Sequence, residues 1–252
     1  MIEKIHKDIQ PELIKEYNQE LIDMKAQEIL TWAHKKFDNQ FAITTSFGIQ
    51  SSVLLNMVSK LCLQKKIKIF WIDTGYLPPE TYHYAEKLIN DLSLDIKVLQ
   101  SELSPARMEA IHGKLWETNK TSDLDKYHEL RKIKPLENGL EKYNVHCWAS
   151  GVRSRQTEHR KEMKVLDVIR QRLSLRPLLN WTNKDIFYYM EENNLPAHPL
   201  FSKGYSTVGD WHSSTPDGNQ KKGRATRFGG IKQECGIPVS YTHLTLPTKR
   251  IV

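Results

Sequence analysis

The 252-residue chain lacks most of what would place it in a membrane or outside a cell. It contains no run of about 18 apolar residues, so no segment is expected to span a bilayer as a helix. Its opening residues, M-I-E-K-I-H-K-D-I-Q, lack the charged-then-apolar order of a secretory signal. Three cysteines are an odd number and argue against a disulfide framework. These absences point to a reducing compartment, and a cytoplasmic location is the expectation. Acidic residues are in deficit as well, 30 Asp and Glu against 37 Lys and Arg, giving a formal charge of +7. Such an excess suits a nucleic-acid binder, an enzyme for a multiply anionic metabolite, or a lysine-rich surface, and charge alone does not choose among them. No internal repeat is present.

What is there reads as one folded unit. With 39% hydrophobic and 27% charged residues the composition is globular, and one α/β domain commonly reaches roughly 250 residues. Leu13, Tyr17, Leu21, Met24, Ile29 and Trp32 recur at helical spacing and predict a long helix over 12–36. Short apolar runs then alternate with amphipathic stretches. Strands are predicted at 41–45, 67–72, 95–99, 145–150 and 173–176; helices at 51–63, 79–92, most of 104–142, 155–163 and 183–193. That alternation predicts a mostly parallel sheet covered on both faces, with ligands beyond the carboxyl ends of its strands. From Pro196 the periodicity stops, and 196–237 reads as an ordered loop followed by a mobile tail.

The strand ends concentrate the chemistry. The first strand runs into T-T-S-F-G-I-Q-S-S, where Ser46, Gly48, Ser51 and Ser52 suit a sharp turn and an anion at a helix N-terminus, or simply a capped turn. The second ends in W-I-D-T-G-Y, placing Asp73, Thr74 and Gly75 at the same edge, as ribose acceptors or as a cap. The fourth ends in A-S-G-V-R-S-R-Q-T-E-H-R, bringing Arg153, Arg155 and Arg160, whose guanidinium forks match phosphate or sulfate oxygens. Among the cysteines, Cys62 and Cys147 lie in apolar stretches and read as core. Cys235 sits in the polar segment F-G-G-I-K-Q-E-C-G and is the candidate for chemistry.

Six motifs in order, T-S-F-G-I-Q-S-S-V-L-L, I-D-T-G-Y-L-P-P-E-T-Y, R-K-I-K-P-L, W-A-S-G-V-R-S-R-Q-T, H-P-L-F-S-K-G-Y-S-T-V-G-D-W-H-S-S and T-R-F-G-G-I-K-Q-E-C-G-I, resemble the phosphoadenylyl-sulfate reductase family over residues 20–237. The resemblance implies a Rossmann-like three-layer fold of the adenine-nucleotide α-hydrolase type, usually homodimeric. It implies thioredoxin-dependent reduction of 3′-phosphoadenylyl sulfate to sulfite and adenosine 3′,5′-bisphosphate, within assimilatory sulfate reduction. Ser46, Phe47, Gly48 and Ser51 would then hold phosphate and sugar, with Asp73, Thr74 and Gly75 as a nucleoside turn. Lys132, Gly151, Arg153, Arg155 and Arg160 would face the anions, and Arg224 and Arg227 would lie in the closing tail. Cys235 would be the nucleophile of an E-C-G-[IL]-H signature, forming an S-sulfonate that reduced thioredoxin or glutaredoxin releases. Cations that neutralise the sulfonate oxygens make its sulfur attackable, and cations also raise the thiolate fraction of a nearby thiol.

Relatives of the resembled family that act on adenylyl sulfate hold an iron–sulfur cluster on a C-C and a C-x-x-C pair. Those positions correspond here to Tyr127, His128, Asp210 and Ser213, so neither a cluster nor another bound metal is expected, and the 3′-phosphorylated substrate is preferred. Phe47 and Gln50 replace a Gly and the Asp of the related ATP-pyrophosphatase loop S-G-G-x-D-S. Competing readings are a cluster-free adenylyl-sulfate reductase, an ATP pyrophosphatase or adenylyltransferase relative, and a nucleic-acid module. Pro238 stands where the signature has His, and 238–252 reads as non-native sequence outside a single domain of residues 1–237. Without Lys249 and Arg250 the charge would be +5 (7 − 2).

Overall fold

A computed structural model describes residues 9–237, so the expectation for 238–252 lies outside the described residues. The helix expected over 12–36 is two helices, α1 (Pro11–Leu21) and α2 (Ala26–Phe37). Lys25 is extended (φ −70°, ψ 156°) and opens α2, its N–H donating to the Glu28 carboxylate at 2.7 Å. Both helices bury their apolar stripes in the same core, and that is why one unbroken period runs through the break.

The alternation that follows folds as β1 (Phe41–Thr45), α3 (Ser51–Lys60), β2 (Lys68–Ile72), α4 (Pro79–Asp91) and β3 (Ile96–Leu99). After β3 come α5 (Pro105–His112), α6 (Thr121–His128), a π-helical turn at Glu129–Ile133 and α7 (Lys134–Lys142). The chain then forms β4 (Cys147–Ala149), the single-turn α8 (Glu158–Lys161), β5 (Leu166–Ile169), β6 (Arg172–Leu175) and α9 (Asn183–Glu192). The sheet order is β3-β2-β1-β4-β6-β5. Every pair is parallel except β5–β6.

Strand periodicity splits the core into two layers. Phe41, Ile43, Ile69 and Trp71 face a cluster shared with α1, α2, α3, α4 and α9. Ala42, Phe70 and Ile72 face the opposite side, where Leu136 and Leu140 of α7 and Trp148 cover them. The result is a Rossmann-like three-layer fold, its parallel strands buried on both faces.

Three local expectations need correction. The helix foreseen at 155–163 is a 3₁₀ turn, Ser154–Gln156, and then α8, because Thr157 is extended and its hydroxyl caps the Arg160 N–H. The strand β5 went unforeseen. Its turn to β6 is made by Arg170 and Gln171 at φ 48° and 60°, without the glycine or asparagine that usually marks such a turn. Cys62, read as core, is exposed. It lies past the end of α3 at φ 54°, and it is Leu63 that turns inward. Cys147 is buried as expected.

Candidate active site

Because β1, β2 and β4 are adjacent and parallel, the loops after them meet at one edge of the sheet, and a cleft of about 230 Å³ opens there. The loop after β1 turns at Phe47 (φ 46°), a left-handed conformation that costs a non-glycine residue about 1–2 kcal/mol. Its ring is fully buried, edge-on to Trp71 at 4.9 Å, and that packing holds the turn. Phe47 therefore supports the loop from the core side, while Ser46, Gly48, Gln50 and Ser51 line the cleft. Among the described residues no side chain caps the N-terminus of α3; the Ser51 and Val53 N–H groups donate to the carbonyls of Gly48 (3.0 Å) and Gln50 (3.4 Å), and the helix dipole still favours an anion there.

After β2 the chain divides its tasks. Asp73 is held by protein donors: the Gly75 N–H (2.8 Å) and Tyr82 hydroxyl (2.7 Å) on one oxygen, the Gln100 amide (2.8 Å) on the other. Gly75 (φ 72°) packs against Pro105 and Arg131, where a Cβ would lie 2.7 Å from the proline ring. Thr74 does reach the cleft, and its hydroxyl donates to Asp210 at 2.5 Å.

Asp210 is fully buried and pairs with Lys132 at 2.5 Å. Burial alone would raise its pKa, but the charges of Lys132 and Arg227 outweigh it and hold the carboxyl well below the usual range. Lys132 projects from the π-helical turn, an irregularity common at functional sites. Its neighbour Arg131 fastens that turn by donating to the Thr74 carbonyl at 2.8 Å. Around the pair lies an aromatic cluster in which Trp116 stacks on His212 at 4.1 Å and the Tyr127 hydroxyl meets His212 at 3.0 Å. Burial pushes His212 down to about 4, and His128, also buried, well below its ordinary value. Tyr127, His128, Asp210 and Ser213, at the positions aligned with cluster cysteines, are thus all buried members of this packed network.

The loop after β4 brings Gly151 and Arg160 to the cleft, and Arg155 is exposed outside it. Arg153 is buried beside the cleft, its guanidinium donating to Gln50 and to Asn183 (2.9 Å). Burial, then the charge of Arg160, lowers its pKa to about 10.

The tail closes over these loops. Arg160 grips Glu234 bidentately at 2.9 and 2.7 Å, and the Thr157 hydroxyl adds a bond of 2.8 Å. Burial works to raise the pKa of Glu234, but these bonds and the Arg224 charge bring it to about 2. Arg224 also donates to the Gln233 carbonyl at 2.6 Å, and Arg170 to the carbonyls of Gly236 (3.0 Å) and Ile237 (3.1 Å). Arg227 lies against Gly209, filling the space a side chain would need there. Between these anchors Cys235 is partly buried and lines the cleft with Arg224 and Arg227.

The structure thus brings together Ser46, Gly48, Ser51, Thr74, Lys132, Gly151, Arg160, Arg224, Arg227 and Cys235 at the cleft. Phe47, Asp73, Gly75 and Arg153 stand behind its wall. The sequence reading missed Gln50, Gln156, Asp210 and Glu234 as participants. Only the E-C-G signature hinted at the last of them.

Residues 40–216 match the family model described as phosphoadenosine phosphosulfate reductase domain. The chain is 45% identical over 225 residues to a phosphoadenosine 5′-phosphosulfate reductase of Synechococcus, covering 89% of this chain and 96% of that protein. Among solved structures it resembles a phosphoadenylyl-sulfate reductase from Candida auris in a phosphate complex, at TM-score 0.70 and 29% identity over 82% of this chain and 98% of that one. An FMN adenylyltransferase from Candida glabrata shares the fold alone, at TM-score 0.56 and 15% identity over 88% of this chain and 73% of that one.

Proposed function

The chain belongs to the phosphoadenosine phosphosulfate reductase family, and from that premise we propose that it reduces 3′-phosphoadenylyl sulfate through a Cys235 S-sulfonate that reduced thioredoxin discharges. Membership makes it an oxidoreductase of assimilatory sulfate reduction. The observation that carries the finer reading is the position of Cys235 on the cleft wall with Arg224, Arg227 and Arg160.

The nucleotide enters with its phosphates toward the loop after β1 and the N-terminus of α3. Cations around the sulfonate draw charge from its oxygens and stabilise the departing phosphate. The Cys235 thiolate attacks sulfur, an S–S bond forms, and the S–O bond to phosphate breaks, leaving adenosine 3′,5′-bisphosphate. A thioredoxin thiolate then attacks the Cys235 sulfur and displaces sulfite. The second thioredoxin thiol resolves the mixed disulfide, so the two electrons come from that dithiol. Glutaredoxin offers the same chemistry.

Two features support the conformational part. The cleft is smaller than the roughly 300–1,000 Å³ usual for ligand sites, consistent with a tail that opens to admit the nucleotide and again to meet the protein reductant. The tail is held by polar contacts at Arg160 and Arg170, which water can replace. The cluster-free reading is supported by the absence of cysteine at 127, 128, 210 and 213. We further propose a cytoplasmic, homodimeric enzyme, as the family resemblance implies.

The test is to incubate the protein with substrate labelled in the sulfonate and no reductant, then add thioredoxin. The label should appear on Cys235 by mass spectrometry and leave as sulfite on reduction. Label on Cys62 or Cys147, or equal use of adenylyl sulfate, would sink the reading.

A further inference from the structure

Two glutamines on the cleft wall share one arrangement. The side-chain oxygen of Gln50 accepts from the guanidinium of Arg153. The side-chain oxygen of Gln156 accepts from the guanidinium of Arg160 and from the Arg153 backbone N–H at 3.0 Å. Arginine has donors and no acceptor, so the atom meeting it must be the amide oxygen. This fixes which way each amide is turned, a matter otherwise left open for Gln side chains. Both glutamines line the cleft and both are only partly buried. With their oxygens engaged, what each has left for a ligand is its –NH₂ group, a donor pair.

We infer that Gln50 and Gln156 form a donor-only clamp for the phosphate oxygens the nucleotide keeps after transfer, each amide oriented by an arginine behind it. The clamp rests on the function proposed above and adds the groups that read the anion. Its chemistry is specific. A fully ionised phosphate or sulfate oxygen offers only acceptors, and two –NH₂ groups suit it; a ligand presenting a donor there would meet the Gln156 oxygen already accepting twice and the Gln50 oxygen turned toward Arg153. A neutral amide also keeps the charge of Arg153 available. Among the described residues its guanidinium has two amide oxygens as partners and no carboxylate, and Asp185 acts on it only through space. A Glu at 50 would cancel that charge and turn an oxygen toward the ligand. The device explains why Gln50 stands where ATP-pyrophosphatase loops carry Asp: the loop presents hydrogen-bond donors, where a carboxylate would present acceptors.

The test uses near-isosteric exchanges, Gln50→Glu and Gln156→Glu, with adenosine 3′,5′-bisphosphate as the calorimetric probe. Each should weaken binding by about ten- to hundredfold, the range for a hydrogen bond to a charged group. The Tm should not fall, since each new carboxylate meets a resident guanidinium. Gln50→Met and Gln156→Met, which remove the donors without adding charge, should weaken binding by about three- to tenfold and serve if a Glu variant does not fold. Binding within about twofold of wild type in all soluble variants overturns the clamp. The wild-type trapping experiment separates the two failures. If Cys235 is labelled in wild type while the glutamine variants bind normally, only the clamp is wrong; if wild type is not labelled, the proposed function falls first.

Discussion

At the scale of single residues, the site separates what touches a ligand from what holds the toucher. That Lys132 and Arg227 line the cleft was legible through the resemblance, and Cys235 also through its polar segment; Gln50 and Gln156 were not, because an amide acquires direction only from the arginine beside it. Asp73 misled for the converse reason. A carboxylate at a strand end looks available until Tyr82 and Gln100, distant in sequence, are seen to occupy it. The exposure of Cys62 brings a prediction of its own. A polar segment and the E-C-G signature mark out Cys235, yet Cys62 is the more exposed thiol. Iodoacetamide should therefore modify Cys62 readily, while Cys62→Ser should keep wild-type sulfite release. Cys235→Ser should release none and still bind adenosine 3′,5′-bisphosphate. Loss of activity in Cys62→Ser would reopen the choice of nucleophile.

Among elements, the parallel strands and their helices could be read directly, since β1, β2 and α4 follow the periods their burial demands. The β5–β6 hairpin could not. Arg170 takes a left-handed conformation at the turn because its side chain is held by Glu137 at 2.6 Å and by the tail carbonyls, a tertiary reason absent from local sequence. Gln171 keeps φ 60° with no such side-chain bond among the described residues. Gln171→Gly should then remove about 1 kcal/mol of left-handed strain, partly offset by the added freedom of glycine in the unfolded chain. The expected outcome is a Tm equal to or slightly above wild type, read by thermal melting. A clear fall would mean that the side chain of Gln171 contributes packing the backbone argument ignores.

For the molecule as a whole, acid should act in two stages. In His198, Nδ1 accepts the Leu200 N–H at 3.1 Å and Nε2 faces the Thr81 hydroxyl at 3.0 Å, which fixes the neutral ring. Burial lowers its pKa from 6.5 to about 4. The unfolded chain thus takes up this proton first, and stability that is complete above pH 6.5 declines as pH falls toward 4. Glu234 follows, lowered from 4.5 to about 2; its contribution is present above pH 4.5 and is lost as pH falls through 2. Chemical denaturation across pH should show both stages, and Glu234→Gln should shrink only the lower one, to which Asp210 also contributes. An unchanged lower stage in that variant would show that the grip of Arg160 on Glu234 is not maintained in solution. Finally, the strand-end loops on the cleft span residues 46–160, and the proposed nucleophile stands at 235. Residues 206–210, 224 and 227 also line that cleft, so its wall is completed by the same late segment that carries the thiol. Wall and thiol thus move as one piece: a tail that swings away from Arg160 and Arg170 carries Cys235 off and opens that side of the cleft in the same motion.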